Sequence, residues 1–302
     1  MLPNLSNLNV LTAERKPRSA LSASERAEDG LYCLDKRNDI DPCRSYIVLK
    51  RAAIQATPEE FAEAEAFFLD NYQPSKFMTT VITRRQCTFG MVKYKNYDLV
   101  EPARWPALVR RTIAATQAFA TQLGIPHANE YDSVHGNYYP DEGAGVMAHA
   151  DDEPQLIPGA PIFSYTFLKD DDNTRAREFV IKAKPKKDHI DKTTGGIKVR
   201  LESGDLLVMA GDMQTDFLHE LPKLKGQPEG VYAPRLNFTV RRFVPAIPKP
   251  TPTELGTNPR ALGTNPRALG TNPRALGTNP RVNVAEPNRS GVEISNEPTP
   301  VD

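Results

Sequence analysis

The chain has 302 residues, and its 38 lysines and arginines balance 38 aspartates and glutamates, giving a formal net charge of zero. That length admits one or two domains, and the balanced charge excludes a protein that grips polyanions through a uniformly basic surface, so any nucleic-acid contact must be local. Three cysteines (Cys33, Cys43 and Cys87), none in a C-x-x-C pair, point away from a zinc ribbon and toward a reduced intracellular protein without a disulfide framework.

The N-terminus lacks the charged start and apolar core of a signal peptide, and no apolar run approaches the ~20 residues that span a bilayer. A soluble intracellular protein is therefore expected: nuclear in a eukaryote, cytoplasmic in a bacterium or in the cytoplasm of a virus's host. Residues 1–44 are polar, lack clear apolar periodicity and are expected to be flexible. Residues 45–245 are expected to fold. Thr57-Pro58-Glu59-Glu60 has the form of a capping box with proline at the first helical position. It predicts a helix to about Asn71 that turns Phe61, Ala64 and Phe68 inward. A second helix is predicted between Arg104 and Leu123, carrying Leu108, Ile113 and Phe119.

Beyond His127 the pattern becomes short β-prone runs: 131–139, 145–149, 162–168, 178–183, 197–201, 206–209, 217–219 and 236–244. Turn residues such as Pro140-Asp141-Glu142-Gly143 and Ser203-Gly204-Asp205 separate them. Many short strands after two helices predict an α+β domain built on a sandwich or jelly roll. Residues 246–302 are rich in Pro, Asn, Thr and Gly and repeat Leu-Gly-Thr-Asn-Pro-Arg-Ala from Leu255, Leu262, Leu269 and Leu276. A proline in every repeat rules out the coiled coil that a period of seven suggests. A disordered, low-complexity tail is expected.

Two patterns carry chemistry. In His149-Ala150-Asp151, residues i and i+2 of a strand share one side, so an imidazole and a carboxylate can grip one divalent ion. A third ligand must come from elsewhere, and His219, which follows an apolar strand and a turn, is the candidate. Two histidines and one carboxylate form the facial triad of non-haem Fe(II) oxygenases, with positions left for a cosubstrate and O2. A surface histidine beside an acid is the commoner explanation of H-x-D taken alone. In Arg235-Leu236-Asn237-Phe238-Thr239-Val240-Arg241 the polar and apolar residues alternate without exception. The polar face looks at water if this is a surface strand. If it lines a barrel, its two arginines need an anion, and a dicarboxylate such as 2-oxoglutarate suits a bidentate guanidinium.

Taken together, Asn137-Tyr138-Tyr139-Pro140-Asp141, His149-Ala150-Asp151-Asp152-Glu153, Arg177-Glu178-Phe179, Ser203-Gly204-Asp205-Leu206-Leu207, His219-Glu220-Leu221-Pro222 and the 235–241 strand resemble the core of the AlkB family. The likeness covers about residues 84–243 and is strongest to members that repair duplex DNA. It implies a double-stranded β-helix (jelly roll) with N-terminal helices packed on it, and an Fe(II)/2-oxoglutarate-dependent dioxygenase that uses O2. The implied iron ligands are His149, Asp151 and His219, and the implied 2-oxoglutarate contacts are Asn137, Tyr139, Arg235, Asn237 and Arg241. Phe89 matches the aromatic that stacks on the target base, Asp152 and Glu153 the acidic pair facing it, and Arg177 a pocket-side arginine. The implied reaction is demethylation of 1-methyladenine or 3-methylcytosine in DNA, giving succinate, CO2 and formaldehyde. RNA is the alternative substrate, followed by hydroxylation of a protein or small molecule. The expected partner is nucleic acid bearing alkylated bases, with no membrane, and the protein is expected to act as a monomer. Departures are Thr83 where the family has proline, Phe77-Met78 as the one candidate for the repair members' apolar wedge, and a lysine-rich insertion at 185–196.

Overall fold

A computed structural model describes residues 15–17, 27–35, 43–72, 76–77, 80–81, 83–90, 98–185, 196–224, 226–228 and 230–244. The repeat-bearing tail, Met78 with the side chain of Phe77, and residues 186–195 of the insertion lie outside them. In chain order, β1 (Arg15–Pro17), β2 (Gly30–Cys33) and β3 (Ser45–Lys50) precede α1 (Pro58–Asn71). The strands β4 (Lys76–Phe77), β5 (Thr80–Val81), β6 (Arg85–Phe89) and β7 (Leu99–Val100) separate α1 from α2 (Ala107–Gln122). There follow β8 (Ser133–Tyr139), β9 (Val146–His149), β10 (Ile162–Leu168), β11 (Glu178–Ala183), β12 (Ile197–Arg200) and β13 (Leu206–Gly211). The single-turn α3 (Met213–Asp216), β14 (Phe217–Leu221) and β15 (Arg235–Arg241) complete the described chain.

From β8 onward the chain swaps between two sheets. The large sheet runs β1-β2-β3-β13-β10-β15-β8-β6-β7 and the small one β12-β11-β14-β9. The stretch β13-β10-β15-β8 set against β12-β11-β14-β9 is the strand order of a jelly roll. Apolar side chains join the layers: Ile47, Leu49, Leu207 and Met209 of the large sheet cluster with Phe179, Ile181, Val199 and Phe217 of the small one.

The outer face of the large sheet is covered by helices. Thr57 caps α1 as predicted, its hydroxyl accepting from Glu60 N while the Glu60 carboxylate accepts from Thr57 N. Phe61, Ala64 and Phe68 of α1 and Leu108, Val109 and Ala120 of α2 share one core with Val134, Tyr138, Phe163, Tyr165, Phe238 and Val240. A Cβ at Gly136 would stand 2.5 Å from the Phe68 ring, so glycine there lets α1 close onto β8.

Two expectations need correction. The first 44 residues are not uniformly flexible: β2 pairs antiparallel with β3, and Ala27, Tyr32 and Leu34 are buried. Leu31 to Leu34 is too short to register as periodic, yet an adjoining strand buries it. Nor are all cysteines reduced, since Cys33 and Cys43 are joined in a disulfide, leaving Cys87 free and buried. The odd count hid one local pair. Among the described residues no helix is long and apolar enough to cross a membrane.

Candidate metal and cosubstrate site

The triad forms because β9 and β14 are antiparallel neighbours in which His149 stands directly opposite His219. Cross-strand partners on one face hold their Cβ atoms ~5 Å apart, and the two imidazole centroids are 4.3 Å apart. Asp151 follows two residues after His149, and one ligand atom from each of the three lies within 4.8 Å of the others. His219 and Asp151 are buried, whereas the His149 side chain, on the open edge of the small sheet, is 35% exposed. The site is therefore approached from the His149 side.

Several contacts fix Asp151. Its Oδ2 accepts from Arg241 Nη2 at 2.7 Å and Nε at 3.2 Å, and its backbone N–H donates to Gln214 Oε1 of α3 at 2.8 Å. Burial alone would raise its pKa, but Arg241, His219 and His149 outweigh it and hold the carboxyl well below the usual range. Burial pushes the His219 imidazole down to about 3, so it is neutral, the form that binds metals. Two buried atoms have no hydrogen-bond partner: Asp151 Oδ1 and His219 Nδ1. Such groups are costly unless something satisfies them. A carboxylate oxygen and an imidazole nitrogen, side by side and unpartnered, are the donor set an Fe(II) ion takes, so the residues fit the metal.

β15 is not a surface strand. It lies between β10 and β8, and all seven of its residues are buried. Leu236, Phe238 and Val240 face the helices, which turns Arg235, Asn237, Thr239 and Arg241 inward. Arg235 donates to Thr166 Oγ1 at 2.8 Å and its guanidinium lies 5.3 Å from the Tyr139 ring centre. No carboxylate among the described residues pairs with it, and burial pushes its pKa down to about 10. Arg177 is a second buried guanidinium close enough to lower the Arg235 pKa further. Arg177 has the Glu142 and Asp141 carboxylates near it, whereas Arg235, a buried cation with no carboxylate partner among the described residues, forms an anion site. Asn137, opposite Asn237 on β8, leaves its buried Oδ1 unpartnered beside them.

The remaining site expectations fare unequally. Phe89 is 0% exposed, on the face of β6 that meets the helices, against Phe67, Phe68 and Trp105. It is a core residue and offers no ring face to a base; the motif spacing placed it in the right segment but not on the inner side. Arg177 donates to the carbonyls of Asp141, Ala144 and Pro222, tying the turn after β8 to the end of β14. It therefore supports the anion site instead of lining a substrate pocket. Asp152 and Glu153 border a cavity of about 620 Å³ that reaches Asp151 and is walled by Leu156, Ile162, Met209 and Gln214. The Asp152 side chain is 70% exposed at its rim, 3.8 Å from Lys184. Lys182 is paired with Glu220 and Arg85 lies over Tyr72, while Lys186 and Lys187 fall outside the described residues. Sequence reasoning missed Gln214 and Thr166, which no motif marks.

Comparison with known proteins bears on this geometry. A family model for the 2OG-Fe(II) oxygenase superfamily matches residues 50–241. "DNA oxidative demethylase ALKBH2" of Bos taurus is 27% identical over 174 residues, 56% of either chain. "Alpha-ketoglutarate-dependent dioxygenase alkB homolog 3" of Mus musculus is 32% identical over 118 residues, 39% of this chain and 38% of that one. The matched stretch thus spans about half or less of these relatives. A solved structure, "The structure of OsALKBH1", superposes with a TM-score of 0.42 at 19% identity, covering 65% of this chain and 97% of that chain.

Proposed function

The chain belongs to the 2OG-Fe(II) oxygenase superfamily, and from that premise we propose that it demethylates N-alkylated nucleobases oxidatively, with 1-methyladenine and 3-methylcytosine in DNA as the first substrates to test. The observation that carries the chemistry is the His149-Asp151-His219 triad with two orphaned ligand atoms, in the same barrel as the buried Arg235, which has no carboxylate partner among the described residues. The likeness to a DNA oxidative demethylase supports the substrate. When bound, iron would let O2 serve as the oxidant: two of its four oxidising equivalents would convert 2-oxoglutarate to succinate and CO2, and the other two would oxidise the N-methyl carbon, which leaves as formaldehyde.

The chain's own residues bind and orient. Arg235 would hold the distal carboxylate of 2-oxoglutarate, which suits a bidentate guanidinium. Arg241 neutralises Asp151 and holds its Oδ2, leaving Oδ1 as the atom that would ligate the metal. Methylation at a ring nitrogen leaves the base cationic and blocks its pairing edge, which lowers the cost of extruding it. Asp152 and Glu153, at the cavity beside Asp151, favour that cation over an unmodified base. A second reading, oxidation of a protein side chain or small molecule by the same site, is favoured by one observation: the burial of Phe89 removes the expected base-stacking ring. Formaldehyde release from methylated DNA, methylated RNA, a peptide and free amino acids separates the two. Release from DNA is expected; release from none of the nucleic acids, with 2-oxoglutarate still consumed, sinks the nucleobase reading.

A further inference from the structure

Gln86 is a buried polar side chain that neither the metal nor the cosubstrate accounts for. It lies on β6, where Cys87 and Phe89 face the helices, so Gln86 and Thr88 face inward beside Asn137 and His135 of β8. It is 2% exposed. Its Oε1 accepts from Arg84 Nη2 at 3.0 Å and lies 3.2 Å from His135 Nε2. Arginine only donates, so the atom facing Arg84 is the carbonyl oxygen and the amide orientation is settled by chemistry. The same oxygen requires a proton on His135 Nε2, and the Thr88 hydroxyl lies 3.4 Å from Nδ1. Pinned in this way, the amide leaves its buried Nε2 on the inner side of the sheet without a hydrogen-bond partner among the described residues.

We propose that Gln86, held by Arg84 and His135, is a specificity-determining hydrogen-bond donor to the primary substrate; the inference rests on the nucleobase reading above. Two strand spacings separate β6 from β15, about 10 Å. Gln86 stands opposite Asn137 of β8, two strands from Arg235 on β15, so a separate 2-oxoglutarate titration distinguishes a contact to the primary substrate from one to the cosubstrate. A buried NH2 that has lost water recovers its cost only from an acceptor. The substrate class is therefore a planar heterocycle presenting a carbonyl oxygen or ring nitrogen toward β6. His135 acts through Gln86, as a positioning residue.

The test compares wild type, Gln86→Glu, Gln86→Leu, His135→Leu and the double variant Gln86→Leu/His135→Leu on methylated DNA oligonucleotides, with 2-oxoglutarate titrated separately. Gln86→Glu is isosteric and keeps an acceptor for Arg84 and His135 while replacing the donor, so it carries the test if the leucine variants fold poorly. Both Gln86 variants should lose about tenfold in kcat/KM for the oligonucleotide, with the KM for 2-oxoglutarate moving less than twofold. The double variant should lose no more than Gln86→Leu alone, because His135 has nothing left to position. Unchanged kcat/KM in Gln86→Glu, or a rise of the 2-oxoglutarate KM in step with the loss, overturns the inference while leaving the proposed function standing. Wild type that releases no formaldehyde overturns the proposed function and this inference with it.

Discussion

Replacing Arg235 separates cosubstrate binding from folding. In the free protein its guanidinium is buried, bonded to Thr166 and set near the Tyr139 ring, with a second buried cation, Arg177, beside it and no carboxylate among the described partners. On the proposed role of Arg235, bound 2-oxoglutarate would supply that carboxylate through two charge-assisted hydrogen bonds, each worth about 1.5–3 kcal/mol. Arg235→Lys keeps the charge but reproduces one bond at most and loses the planar fork. A loss of about 2 kcal/mol raises the KM for 2-oxoglutarate roughly 30-fold. Arg235→Met removes both bonds and should raise it several hundredfold, on the order of 3.5 kcal/mol. Stability should move differently. Methionine replaces an uncompensated buried cation, so the cosubstrate-free variant should melt at or above the wild-type temperature, while the stabilisation that saturating 2-oxoglutarate gives wild type disappears. Succinate formation against 2-oxoglutarate concentration gives the KM, and thermal melts with and without cosubstrate give the linkage. Both variants keeping KM within twofold of wild type would refute the anion-site reasoning.

Three further outcomes follow from the packing. His149→Ala, Asp151→Ala and His219→Ala should each abolish succinate production, but only Asp151→Ala should also cost about 3–5 kcal/mol in urea unfolding, since it strands the buried Arg241. Phe89→Ala should cost about 3–5 kcal/mol of stability as a core truncation, with kcat/KM per folded molecule on a methylated oligonucleotide within twofold of wild type; a selective catalytic loss would restore the stacking role. Reducing the Cys33–Cys43 bond, which closes a short loop at a sequence separation of 10, should lower stability by about 2–3 kcal/mol, read from urea unfolding with and without dithiothreitol.

Features set by local rules were legible in the sequence. The Thr57 capping box fixed the start of α1, and the unbroken alternation of 235–241 identified a strand with one polar face. The triad was readable from H-x-D and a third histidine, although β9 ends at His149 so that Asp151 lies just beyond the strand, and only the β9–β14 register shows why His219 stands opposite His149. Side assignment was harder. Phe89 and Gln86 belong to one five-residue strand, and which of them faces the barrel depends on pairing with β8, a contact across nearly fifty residues. β3 passed unnoticed because both its faces are buried, so its run of apolar residues carries no period. Arg177 resembled a pocket residue, yet its partners are three backbone carbonyls that no side-chain pattern reveals.

The most direct test of the whole account is to quantify succinate and formaldehyde in one Fe(II)-supplied reaction of the full chain with an oligonucleotide carrying 1-methyladenine or 3-methylcytosine. The account predicts that the two products rise together in near-equal amounts, and that neither forms when Fe(II) is chelated or His219 is replaced by alanine. Succinate without formaldehyde, on every methylated nucleic acid tried, would contradict it.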